Sequence, residues 1–280
     1  MDNFWRSQEW LEYLLNSKHG MVYSDRSFFL NNKFIPLVQE GEEFYSPGFD
    51  DDKKILSAIK DLAQEHNIKR IQVDSQIKSY LAINSYTCIL DLDDVKPSKG
   101  HKAAIARSKK LITSHEYNTE SIYRFMEGYF NAAGKKTRPE KAFYILNSWL
   151  GKYGFLLIAY CDYKEAGAIY VLHYKDWAYY FMGFTKPEFK DCNITHYLQA
   201  KAFDVLRTKG IKYYELGDQP QNSLHYYPTE KEKNIAVFKR GFGGSIVVRP
   251  RSEYFFDSEY MKQVYYERIN NYLRSEYKND

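Results

Sequence analysis

The sequence predicts an α/β protein whose mixed, mostly antiparallel sheets are flanked by helices, and three observations carry that prediction. First, three strand-like runs, FLLIAYCD (155–162), AGAIYVLHY (166–174) and WAYYFMGF (177–184), follow one another through short links and read as an antiparallel meander. Second, a helical pattern, ITHYLQAKAFDVLRTKG (194–210), leads directly into the strand pattern IKYYELGD (211–218). A strand that returns to a sheet through a helix needs a crossover, so the sheet is mixed. Third, this order is echoed earlier in the chain. HNIKRIQVDS, from His66, parallels KGIKYYELGD, from Lys209, and YSPGFD (45–50) parallels YFMGFT (180–185). Each pair flanks an amphipathic helix, which points to a duplicated unit.

Taken in order, FWRSQEWLEYLLNS (4–17) reads as an amphipathic helix. SFFLNNKFIPLVQ (27–39) reads as a hairpin turning at Asn31-Asn32-Lys33, and EFYSPGFD (43–50) as a short strand broken by Pro47-Gly48. DDKKILSAIKDLAQEHN (51–67) places Ile55, Ile59 and Leu62 at helical spacing behind two Asp residues suited to a helix start. IKRIQVDS (68–75) and YTCILDL (86–92) read as strands. Lys96, Lys99, His101, Lys102, Arg107, Lys109 and Lys110 then crowd one stretch, with Pro and Gly interrupting the pattern between Val95 and Gly100. A domain boundary is placed there, giving units 1–97 and 98–280. The basic helix that follows reads as a solvated linker or as an anion-binding face. Helices are expected around 118–134 and 139–154, ahead of the meander. Its turns are placed at Tyr163-Lys164-Glu165 and Lys175-Asp176. The long helix carries an apolar stripe of Ile194, Leu198, Ala202 and Val205 and stops at Gly210.

Composition narrows the class. With 280 residues, 44% hydrophobic and 27% charged, the chain has the means to bury a core. Aromatics reach 18%, with 27 Tyr, which fits either a compositional bias or a tyrosine-lined cleft. A net charge of +4 argues against a dedicated nucleic-acid binder, and so against DNA as a partner, while suiting an anionic ligand at one patch. The start, MDNFWRSQEW, lacks the pattern of a secretory leader, and no run approaches the ~20 apolar residues of a membrane span. A cytoplasmic protein is expected. Cys88, Cys161 and Cys192 fit neither a paired disulfide framework nor a zinc site, so three reduced thiols and no metal are expected.

Three stretches carry a resemblance to a known family: GHKAAIARSKKL, EKAFYILNSWL through KYYELGD, and VFKRGFGGSIV, which together cover most of residues 100–250. They resemble the FemAB-like branch of the GNAT acyltransferases. That branch includes aminoacyl-tRNA-dependent peptidoglycan-bridge transferases and proteins of polysaccharide clusters. The resemblance implies tandem GNAT-like units, with residues 1–97 the degenerate first copy and 98–280 the catalytic one. It also implies acyl transfer to nitrogen, with an acyl-CoA-type thioester as donor and an amino sugar or other cell-envelope amine as acceptor. The alternative is an aminoacyl-tRNA donor, and a further one is an inactive scaffold that binds a partner. One departure bears on the donor. Acetyl-CoA enzymes of this fold place a Gly-rich loop before the long helix to cradle a pyrophosphate. Here that loop, Lys190 to Thr195, has no glycine.

Acyl transfer to an amine needs a proton acceptor, stabilisation of the oxyanion and alignment of the ester. No Ser-His-Asp or Cys-His set is legible, so direct transfer is expected. In the resembling family the Phe-Lys pair lies beside the reacting ester, which makes Lys239 the first catalytic candidate. Asp218 and, after it, Glu215 are the candidate bases, because carboxylates at the end of such a strand commonly face a crevice. Strand alternation puts Tyr214 and Leu216 on one face and Glu215 on the other. The substrate side is assigned Phe238, Arg240, Tyr214, Gln199, His225 and Tyr226. The donor side is assigned Asn193 and Thr195, as possible helix caps, with His196, Lys102 and Arg107; His101 is a further candidate for a phosphate. Each has a plainer role open to it, in a cap, a turn, the core or a solvated ion pair. Gly241, Gly243 and Gly244 serve the turn and the strand after it, and Trp177-Ala178-Tyr179-Tyr180 reads as core strand.

Overall fold

A computed structural model of the chain describes residues 4–17, 23–47, 52–78, 80–108, 112–116, 119–223 and 226–276. The chain divides into two compact units, and the division is not a single cut. The first comprises Met1–Tyr86, Gln219–Asn234 and Val248–Asp280, and the second Thr87–Asp218 and Ile235–Val247. The sequence placed one boundary at 97/98; strand pairing overrides it, as follows.

The first unit contains α1 (Gln8–Asn16), β1 (Tyr23–Asp25), β2 (Phe28–Leu30), β3 (Lys33–Ile35), β4 (Val38–Glu40), β5 (Glu43–Ser46), α2 (Lys53–Glu65), β6 (Arg70–Val73) and β7 (Leu81–Ala82). The chain then passes through β8 (Ser85–Asp91) into the second unit, with α3 (Lys99–Arg107), β9 (Ile112–Glu116), α4 (Thr119–Ala133), α5 (Glu140–Trp149), β10 (Gly154–Cys161), β11 (Lys164–Tyr174), β12 (Trp177–Thr185), α6 (Ile194–Thr208) and β13 (Tyr213–Asp218). It closes with α7 (Glu230–Arg240), β14 (Ser245–Arg249), β15 (Ser252–Phe255) and α8 (Ser258–Glu276).

In the first unit the strand order is β1-β4-β5-β6-β15-β7. β5 and β6 are parallel, Glu43 opposite Arg70 and Ser46 opposite Val73, joined by the crossover α2. Ile55, Ile59 and Ala63 of α2 are buried against Phe44, Ile71 and Leu37. The i, i+4, i+8 positions take the core face, so Leu62 of the expected stripe lies at its margin. Asp52 caps α2 by accepting from the Lys54 N–H at 2.8 Å. The β2–β3 hairpin turns on Asn31 and Asn32, both with positive φ (51° and 59°), the conformation such two-residue turns require. Lys33, placed in the turn from sequence, already belongs to β3.

β15 joins this sheet from the far end of the chain, pairing antiparallel with β6 (Ser252 opposite Val73) and with β7. Its Glu253 is fully buried and accepts from Arg268 of α8 at 2.7 and 2.9 Å and from the Tyr265 hydroxyl at 3.0 Å. Arg70 lies 3.6 Å from the same carboxylate and pairs with Glu43, which also accepts from Tyr260 at 2.7 Å. Burial alone would raise the Glu253 carboxyl, but Arg268, Tyr265 and Arg70 hold it below the usual range.

In the second unit the order is β14-β8-β13-β12-β11-β10-β9. The expected meander is present: β10, β11 and β12 are antiparallel neighbours. Its first turn is the two-residue Asp162-Tyr163, with φ of 48° and 61°, and Lys164 opens β11. Residues 154–159 are buried throughout because both sheet faces are covered. On one face α6 buries Leu198, Ala202 and Phe203 against Phe155, Leu157 and Val171. On the other, Tyr170 packs beside Phe125 of α4 and donates to the Leu146 carbonyl of α5 at 2.7 Å. Gly210 ends α6 at φ +73° as expected, while Phe203 and Leu206 take the buried face and Val205 packs at its edge. β13 then runs parallel to β12. Both segments that the sequence echo pairs therefore form parallel strand–helix–strand crossovers. β8 pairs antiparallel with β13, from Tyr213 opposite Asp91 to Asp218 opposite Thr87. The late strands go to different sheets, β14 to the second and β15 to the first, which is why no single cut divides the chain.

Cys88, Cys161 and Cys192 are free thiols. Among the described residues no helix is long and apolar enough to cross a membrane, and no group of His, Cys, Asp and Glu could hold a metal ion.

Candidate active site

The candidate residues of the second unit gather where β13, β8 and the end of α7 meet. Tyr214 and Leu216 point into the core under α6, so Glu215 takes the opposite face, as alternation requires. Tyr214 is fully buried and donates to the Gln199 Oε1 at 3.0 Å. Both residues were assigned to substrate; the structure makes them a core pair instead, because an even strand position and a helix core position face each other. The Gln199 Nε2 is buried without a partner. Glu215 is buried and accepts from the Thr87 hydroxyl on β8. Asp218 ends the strand and is exposed.

Between them lies Gly217, at φ +88°, next to a register shift in the β13–β8 ladder. A Cβ at Gly217 would stand 3.1 Å from the Lys239 Nζ and 3.2 Å from the Tyr179 hydroxyl oxygen. Absence of a side chain thus lets an ammonium and a phenol converge over one stretch of backbone. Lys239 is half-buried in the last turn of α7, a helix that the sequence reading did not assign. Cys88 of β8 reports the surrounding charge. Burial pushes its thiol up, Lys239 and Arg240 pull it down, and Glu215 pushes it up. Its Sγ lies 3.9 Å from the Lys239 carbonyl. Arg240 is exposed.

Behind Lys239 is an aromatic cluster. Phe238 lies with its ring centroid 5.5 Å from His101 and 4.9 Å from His196, and Phe242 lies 4.7 Å from His101. Burial first, then His101 and Arg107, push His196 down to about 4, so it is neutral over the physiological range. His101, offered to a phosphate by the sequence, has both ring nitrogens engaged within the protein: Nδ1 lies 3.1 Å from Ser98 Oγ and Nε2 2.9 Å from the Phe238 carbonyl oxygen. That role is therefore corrected.

The donor-side candidates sit around the start of α6. Asn193 occupies the cap position in a left-handed conformation (φ 56°, ψ 32°) and its side chain makes no cap hydrogen bond. Thr195 shares a hydrogen bond with Thr185 at 3.1 Å rather than capping. A 3-10 turn, Pro187–Cys192, leads into the helix in place of a glycine loop. Lys102 and Arg107 are both exposed on α3, and Arg107 is close enough to act on His196. One substrate-side candidate falls elsewhere, and a second is not described. Tyr226 belongs to the first unit, where its hydroxyl donates to Glu232, and His225 lies outside the described residues.

Sequence reasoning missed Tyr179, Thr87 and Ser98. A signal for Tyr179 existed, since alternation from buried Ala178 turns it away from the α6 core. Thr87 carries none, because its partner Glu215 is 128 residues away.

The expected FemAB-like fold is the one found. The chain superposes on the crystal structure of FemX with a TM-score of 0.70 at 11% identity, covering 94% of each chain. It matches L-PGS from Bacillus licheniformis at 0.67 and 12% identity, over 94% of this chain and 97% of that one. The C-terminal domain of a putative lysylphosphatidylglycerol synthetase from Agrobacterium fabrum matches at 0.62 and 12% identity, over 82% and 84%. At such identities the likeness is one of fold. No protein-family model and no curated protein sequence matches the chain.

Proposed function

We propose that this chain is an acyltransferase that moves an aminoacyl group from an aminoacyl-tRNA to the amine of a cell-envelope precursor. The observation that carries the reading is the convergence of the Lys239 ammonium and the Tyr179 hydroxyl over Gly217, in a fold shared with FemX along 94% of both chains. Two donors aimed at one point suit the oxyanion that forms when an amine attacks an ester. The neutral amine adds to the carbonyl carbon, Lys239 and Tyr179 take the developing charge, and the amine proton passes to Asp218 or Glu215. Collapse breaks the bond to the ribose oxygen, which takes that proton from the carboxyl group and leaves as a hydroxyl, and an amide remains. A lysylphosphatidylglycerol synthetase, the type of protein that the Agrobacterium fabrum neighbour is named for, likewise joins an amino acid, lysine, to its acceptor.

The thioester donor and amino-sugar acceptor, the first expectation from sequence, have less support. A 3-10 turn without glycine opens α6, and close backbone approach to a pyrophosphate is harder there. The uncapped start of α6, with Asn193, Thr195, His196 and Arg107 around it, suits a phosphate of the tRNA 3′ end instead.

The test is to incubate the purified protein with labelled aminoacyl-tRNA pools and envelope precursors bearing a free amine. Label is expected in an amide product, and RNase treatment of the donor should abolish it. Turnover of acyl-CoA that ignores RNase would overturn the donor assignment.

A further inference from the structure

We infer that His101 is a positioning residue for Lys239, acting as a fixed N–H donor that pins the end of α7; this rests on the proposed role of Lys239. The last carbonyls of a helix have no partner in the next turn and must find one elsewhere. In α7 that end carries Phe238, Lys239 and Arg240. The Phe238 carbonyl, one residue before Lys239, accepts from the Gly241 N–H at 3.2 Å and has its second, shorter contact outside the helix, 2.9 Å from His101 Nε2. A carbonyl only accepts, so Nε2 carries the proton. Nδ1 is then an acceptor, and it faces Ser98 Oγ at 3.1 Å. Ser98 completes the arrangement. Its Oγ accepts from the His101 backbone N–H at 3.3 Å as the cap of α3, and its own N–H donates to the Gly241 carbonyl at 2.8 Å. Every donor in this chain of contacts meets an acceptor, and one tautomer satisfies them all.

The ring is also locked sterically. A Cβ at Gly241 would stand 1.9 Å from His101 Cε1, so the imidazole fills the place that glycine leaves open. Phe242 and His196 pack edge-on against it at 4.7 and 4.6 Å. The start of α3 thus holds two carbonyls, those of Phe238 and Gly241, on either side of Lys239. Its ammonium can rest over Gly217 only if that backbone stays in place. His101 touches neither the ammonium nor Gly217 in this arrangement; it acts through the main chain.

Two variants separate hydrogen bonding from packing. His101→Phe keeps an aromatic ring and removes the donor, while His101→Gln places an amide N–H near the position of Nε2. Loss of this bond is expected to lower kcat about tenfold in His101→Phe, the size of one well-made hydrogen bond, with KM for both substrates little changed. His101→Gln should recover most of kcat. A second readout is independent of any substrate: the rate at which acetic anhydride modifies Lys239 in the full chain, followed by mass spectrometry. That rate should change about threefold or more in His101→Phe and return toward wild type in His101→Gln. If the wild-type protein transfers no aminoacyl group but the labelling pattern holds, the functional reading fails and the positioning role stands. Equal labelling of Lys239 in all three proteins, or a fall in kcat that tracks lost folded protein and is no better in His101→Gln, overturns it.

Discussion

The two parallel crossovers, β5–α2–β6 and β12–α6–β13, are built alike and finished differently. In the first unit Asp52 caps α2 with a carboxylate, and the strand beyond the crossover is closed by an ion-paired set: Arg70, Glu43, Glu253 and Arg268. In the second, α6 starts at a left-handed Asn193 that makes no cap bond, and the strand beyond it ends at Gly217 under Lys239 and Tyr179. One unit has its buried charges locked to each other. The other brings an ammonium and a phenol over buried Gly217, one residue before the exposed Asp218. A closed set of buried ion pairs serves as a scaffold, and an ammonium and a hydroxyl gathered over one glycine are suited to developing negative charge.

The contrast predicts which losses are structural and which are chemical. The largest effect is expected from Glu253→Ala, which leaves Arg268 and Arg70 beside an empty buried position and costs about 3–5 kcal/mol of stability. Urea titration checks it, and whatever folded protein remains should turn over normally. Lys239→Met should do the reverse, lowering kcat by about 10²–10³-fold while the melting temperature moves by less than about 2 °C. Full turnover in a folded Lys239→Met protein would erase the distinction between the units.

Acid should separate them next. His173 and His196, both in the second unit, are pushed from the ordinary 6.5 to about 4, first by burial. The unfolded chain binds protons near 6.5 that these folded imidazoles refuse until about 4. Their contribution is therefore whole above 6.5 and lost as pH falls through that window, by about 1–2 kcal/mol each once solvent screening is allowed for. Glu253, held below its ordinary 4.5, defends the first unit to lower pH. Melting followed from pH 7 to 4 should weaken the second unit first, and His173→Phe should flatten its share.

Gly217→Ala tests the site more finely. It sets a side chain at φ +88° and 3.1 Å from the ammonium, costing about 1–2 kcal/mol of stability and about tenfold in kcat. Gly210→Ala, at φ +73° with nothing within 4 Å, should show similar strain and an unchanged kcat. The smallest effects belong to the helix starts. Asp52→Ala should cost about 1 kcal/mol and leave kinetics alone. Asn193→Asp should raise the donor KM severalfold by placing a carboxylate where a phosphate is proposed to sit.

Much of this architecture was legible because local pattern and tertiary role agree. The meander, both crossover helices and the stop at Gly210 follow from periodicity and turn chemistry in contiguous segments. The partition into units was not legible, because β8 and β15 are assigned by pairing across the length of the chain, which no local pattern records. α8 escaped for a related reason: its hold on the sheet is Arg268 against a buried glutamate rather than an apolar stripe. At the proposed site, Lys239 is a candidate through family resemblance and Glu215 through its place near the end of a strand. Tyr214 and Gln199 were misplaced, since a hydroxyl and an amide that satisfy each other inside a core look, in sequence, like groups waiting for a ligand.

The late arrival of β15 bears on how the protein is made. Ile77 donates to Ser252, 175 residues later, so the first sheet lacks a central strand until β15 has been synthesised. At about 5–20 residues per second the open edge of β6 waits for roughly 10–35 s on the ribosome. An unpaired edge is a template for wrong partners. Yield in a cell should therefore depend less on final stability than on what shelters that edge while the nascent chain is still being threaded out.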